Sequence, residues 1–126
     1  MDENELASAV VDLAIKIHKR LGPGLLESAY SSILAYELGK VGIPFEREVP
    51  LPLVWDEMIV RECYRADFIV DRKLILELKS VERLAPVHAK QLLTYLKIAD
   101  LRLGLLINFG GVLMKTNIER VINGYL

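Results

Sequence analysis

Cysteine, tryptophan and net charge are all scarce in this chain. A single cysteine, Cys63, stands among 126 residues, so no internal disulfide can form and packing alone has to hold the fold. No activating base accompanies Cys63 in the sequence, which reads it as an inert strand residue. No apolar run is long enough to cross a bilayer, and the first residues do not read as a signal peptide. A reducing, cytoplasmic setting without a membrane is the expectation. The 16 Lys and Arg against 17 Asp and Glu leave a net charge of -1. Proteins that grip long duplexes through phosphate contacts are usually basic, so this balance disfavours tight nonspecific nucleic-acid binding and leaves only local patches. Repeats, linkers and low-complexity stretches are lacking too. The length suits a single domain spanning residues 1–126.

Hydrophobic residues make up 52% of the chain and charged residues 26%, enough for both a core and a polar surface. Leu6, Val10, Leu13, Ile17 and Leu21 recur at helical spacing, with acids at the start and bases at the end, matching the helix dipole. Gly22, Pro23 and Gly24 interrupt this pattern, and a second helix follows with Leu26, Tyr30, Leu34 and Leu38 on its apolar face. From Phe45 the period shortens. Pro50 and Pro52 cannot donate ladder hydrogen bonds, so the strand around Val49, Leu51 and Leu53 is expected at an edge or short. Two further strands, Ile59 to Val70 and Lys73 to Ser80, read as a hairpin turning at Asp71 and Arg72. A third helix after Pro86 and an apolar strand from Leu103 to Phe109 follow. Val112 to Met114 is expected as a short strand, and Ile118, Val121 and Ile122 as a last helical turn or two. This order implies an α/β or α+β fold, a mixed sheet flanked by helices.

The second hairpin strand carries ionisable residues where apolar ones would be ordinary. Side chains alternate along a strand, so Ile75, Glu77 and Lys79 share one face and Leu74, Leu76 and Leu78 the other. Asp67 shares a face with Ile69 on the preceding strand. A register that sets Asp67 opposite Glu77 brings two carboxylates together beside one ammonium. Like charges in reduced dielectric raise each other's pKa unless a cation offsets them, and a divalent metal would do so. The competing reading is an amphipathic sheet with one wet face and ordinary surface ion pairs.

Asp67 followed by Glu77-Leu78-Lys79 resembles the bipartite motif of the PD-(D/E)XK nuclease superfamily, with Ala66 where the family name has Pro. Gly24-Leu25-Leu26-Glu27-Ser28-Ala29-Tyr30 is similar to the signature of the GxxExxY family assigned to that superfamily, and LLTYLK with LGLLINFGG adds to the likeness. The resemblance implies a restriction-endonuclease-like core. It further implies metal-dependent hydrolysis of phosphodiester bonds in DNA or RNA, with Mg²⁺ or Mn²⁺ held by Asp67, Glu77 and the backbone carbonyl of Leu78. Lys79 would orient or deprotonate the attacking water, and Glu27 would be an additional acidic site residue. Gln91 and Tyr95, four apart on the third helix, resemble a Gln-x-x-x-Tyr motif of exonuclease-like branches, with Gln91 as the site residue. Each has a plainer alternative: Glu27 as a helix-start acid near a Gly24 cap, Tyr95 as core, His88 as a cap. The rival function is a noncatalytic accessory or oligomerisation module that retains the fold. A homodimer would supply surface that so small a chain lacks.

Overall fold

The computed structural model describes residues 1–61 and 64–126. Its first helix, α1 (Glu3–Leu21), starts with a capping box: the Asp2 carboxylate accepts from the Glu5 amide, and Glu5 reaches back to the Asp2 amide. The second, α2 (Glu27–Lys40), ends where Gly42 takes a positive φ of 74°. Next comes β1 (Phe45–Pro50), then a small hairpin of β2 (Leu53–Trp55) and β3 (Met58–Val60). β4 (Arg65–Val70), β5 (Leu74–Lys79), α3 (Pro86–Ala99), β6 (Leu103–Asn108) and β7 (Ile118–Ile122) complete the order, with a 3-10 turn at Met114–Thr116.

Five strands form one mixed sheet in the order β1-β4-β5-β6-β7, in which only β5 and β6 run parallel. The α3 crossover joins that parallel pair, as parallel neighbours require. Side-chain alternation on β5 divides the molecule into two cores. Leu74, Leu76 and Leu78 pack with Val10, Tyr30 and Leu34 of the α1–α2 layer. Ile75 packs with Leu92, Tyr95 and Leu96 of α3. Gly104 permits the close seat of α3, because a Cβ at that position would lie 2.9 Å from Leu92 side-chain atoms.

Most expected elements are present, with four corrections. The strand expected from Ile59 to Val70 is two strands, since β3 pairs with β2 outside the main sheet while β4 pairs with β1 and β5. The strand reading of Cys63 falls outside the described residues. The segment around Ile118 is strand rather than helix. Ile118 packs into the core under α1 and Val121 into the core under α3, as residues three apart on a strand must. Met114 begins a 3-10 turn, so the short strand expected at Val112 to Met114 does not form. Leu26 is the N-cap of α2 and exposed, so it lies off the apolar face. The proline argument holds: β1 stops at Pro50 and occupies the sheet edge.

Candidate active site

The turn at Asp71 and Arg72, both at positive φ (48° and 57°), sets the register of β4 against β5. Partners run from Val70 with Leu74 to Phe68 with Leu76. The next pair in that register would be Asp67 with Glu77, and there the ladder stops. The other flank of β4 also skips this point: Arg47 pairs with Phe68 and Val49 with Ala66, while intervening Glu48 adopts a φ of 52°. Asp67 uses its side chain where a backbone acceptor would serve. Its Oδ2 accepts the Leu78 amide at 2.8 Å. The N–H and C=O of one strand residue lie on the same side of the strand, so the Leu78 carbonyl also turns toward Asp67.

Glu77 is the residue least satisfied by the protein. Only 7% of its surface is exposed, and its buried Oε1 has no hydrogen-bond partner among the described residues. Burial pushes its pKa up to about 9, helped by the neighbouring Asp67 carboxyl; Lys79 opposes the shift. Half-buried Lys79 makes no ion pair within 4.0 Å among the described residues, although its charge is felt by Glu77. Tyr95 of α3 packs in the core that also holds Ile75, and its hydroxyl pKa is raised by burial and then by the charges of Glu77 and Asp67. Tyr64 meets the Tyr95 ring edge-on at 5.7 Å.

Asp67, Glu77, Leu78 and Lys79 therefore converge as the sequence predicts. Glu27 and Gln91 do not join them through any hydrogen bond or ion pair among the described residues, and both side chains are exposed. Glu27 opens α2, with Leu26 rather than Gly24 as N-cap. His88 caps α3, its Nδ1 accepting the Ala85 amide at 3.0 Å.

Two supports were not read from the sequence. The Tyr30 hydroxyl accepts from the Gly24 and Leu25 amides and donates to the Gly22 carbonyl, while its ring stacks on Phe109 with centroids 4.4 Å apart. It thereby gathers a loop in which Gly24 takes φ 151°, a conformation suited to glycine. Ser80 Oγ then donates to the Leu25 carbonyl at 2.7 Å, tying this loop to the end of β5 just beyond Lys79. Asn108, fully buried, holds the same end from the other side through the Val81 amide and carbonyl and the Gly110 amide. The signal for Asn108 was a lone amide closing an apolar strand.

A family model described as the PD-(D/E)XK nuclease superfamily matches residues 4–121. The chain belongs to this superfamily. No curated protein and no solved structure matches it. The three helices and five-stranded mixed sheet are the α+β, restriction-endonuclease-like core of that superfamily. Membership suggests a nuclease acting on nucleic acid, and nucleases of this superfamily generally depend on a divalent metal. Among the described residues no helix is long and apolar enough to cross a membrane.

The donors present fit such an ion. Two carboxyls and a backbone carbonyl are hard oxygen ligands, and the orphaned Glu77 Oε1 is a buried acceptor that a cation would satisfy. No group of three or more His, Cys, Asp and Glu gathers among the described residues, so an ion here would keep several waters, as Mg²⁺ does.

Proposed function

We propose that this chain is a divalent-metal-dependent nuclease that hydrolyses phosphodiester bonds in DNA or RNA, with Asp67, Glu77 and Lys79 as its catalytic set. The observation that carries the reading is Glu77: a buried carboxyl pressed against a second carboxyl, with one oxygen unpartnered. A folded protein pays for such an arrangement only weakly when an ion completes it, and heavily otherwise. Asp67 and Glu77 would hold Mg²⁺ or Mn²⁺ with the Leu78 carbonyl. The bound ion supplies Lewis acidity toward a phosphate oxygen and lowers the pKa of a ligand water. Asp67 also braces the strand through the Leu78 amide, fixing its own carboxylate. Lys79, free of a close carboxylate partner among the described residues, is available to orient the attacking water or meet charge on the phosphate. Glu27 would enter only through water or substrate, from the start of α2, and Gln91 through substrate contact from α3.

The segment Gly24 to Tyr30 supports the finer assignment to the GxxExxY family, because its Gly and Tyr perform a joint structural task that needs both residue types. The test is cleavage of single-stranded, duplex and branched DNA and RNA with Mg²⁺ or Mn²⁺. Wild type is expected to cut at least one of these. Lys79→Ala is expected to lose cleavage by roughly a hundredfold or more while still binding metal. Full activity in Lys79→Ala would remove that residue from the mechanism. Failure of the wild type on every substrate would favour the noncatalytic accessory module, which the exposed, unengaged Glu27 and Gln91 would then suit.

A further inference from the structure

The β2–β3 hairpin stands outside the main sheet and leaves Val54, Trp55, Met58 and Ile59 exposed, Trp55 by 67%. Strands of three residues are too short to be stable as an isolated pair in water, and an exposed apolar cluster of this kind marks a contact surface. Its turn carries Asp56 and Glu57, neither in an ion pair among the described residues. Acids at the tip oppose a phosphate backbone and suit a basic, apolar seat.

The same chain provides one. Between α1 and α2 lies a cavity of about 240 Å³ lined by Lys16, Ile17, Arg20, Leu21, Ile33, Tyr36 and Glu37. Leu21 and Tyr36 are exposed at its rim. The hydrogen bond from Lys16 at 3.0 Å, and then the charges of Lys16, Lys40 and Arg20 around it, hold the Glu37 carboxyl below the usual range. Three cations around one carboxylate leave two positive charges in excess, matching the two acids of the hairpin turn.

We propose that the β2–β3 hairpin of one copy docks in the α1–α2 groove of a second copy, Trp55 and Met58 entering the apolar cavity while Asp56 and Glu57 meet Arg20 and its neighbours. Each chain carries one hairpin and one groove, so reciprocal docking closes a two-fold dimer. This inference stands on a surface separate from the Asp67–Glu77 cluster and does not depend on nuclease activity.

Trp55 is the sole tryptophan, so its emission reports the contact directly. Sedimentation of the full chain across a concentration series is expected to show monomers giving way to dimers, with a parallel blue shift of Trp55 emission. Trp55→Ala should weaken the dimer roughly thirtyfold, as loss of a buried aromatic anchor does. Arg20→Glu and Glu57→Lys, both on exposed side chains, should each weaken it about five- to tenfold, and their combination in one chain should restore it. A wild type that stays monomeric overturns the proposal. So does a dimer indifferent to these changes, a double variant without rescue, or Trp55 emission that answers to an oligonucleotide and not to chain concentration.

Discussion

The two faces of β5 use the same six residues for opposite ends. On one side Leu74, Leu76 and Leu78 are fully buried and pack into the apolar core under the α1–α2 layer, the arrangement that gives a fold most of its stability. On the other, Ile75 alone continues a core, and Glu77 and Lys79 fill positions where burial of charge costs free energy. A strand so firmly held from one side can carry an unfavourable cluster on the other. The stable face makes the strain of the charged cluster tolerable.

Two substitutions should break that contrast in opposite directions. Leu76→Ala removes buried methyl groups from the stable face and is expected to destabilise the protein by about 2–5 kcal/mol in chemical denaturation. A loss below about 1 kcal/mol would mean that the α1–α2 core relaxes around the gap. Glu77→Gln, on the strained face, should instead stabilise the metal-free protein. The folded-state pKa of Glu77 lies at about 9 against an ordinary 4.5, so the folded chain binds the extra proton more tightly than the unfolded one. Its favourable contribution is therefore complete below about 4.5 and is lost progressively as pH rises toward about 9. The variant lacks this dependence, so its advantage should grow over that window and reach roughly 1–3 kcal/mol near about pH 7. Thermal melts across the window check this; an advantage that shrinks as pH rises would reverse the argument.

The elements that set the site were legible because their patterns are local. Alternation along Leu74 to Lys79 assigned both faces of β5, and the Asp71-Arg72 turn fixed a register that faces Asp67 toward Glu77. Tertiary choices were less visible. The sequence from Ile59 to Val70 has strand character throughout, and only pairing decides that β3 leaves the sheet with β2. Ile118, Val121 and Ile122 fit a helical period as well as an edge strand that touches both cores. Glu27 shows the limit for site residues: its spacing with Tyr30 and Leu34 places it beside an apolar stripe, yet the first turn of α2 leaves it in solvent. The linkage from Tyr30 through Leu25 to Ser80 joins residues far apart in the chain and has no periodic signal at all.

Calorimetry of Mn²⁺ binding, repeated at about pH 7 in two buffers of different ionisation enthalpy, addresses the Asp67–Glu77 pair most directly. To hold the proposed ion Glu77 would surrender its proton, so wild type should release close to one proton per ion bound, and the Asp67→Ala, Glu77→Ala double variant should neither bind tightly nor release it. Equal weak heats from the two proteins, or tight binding without proton release, would contradict the account.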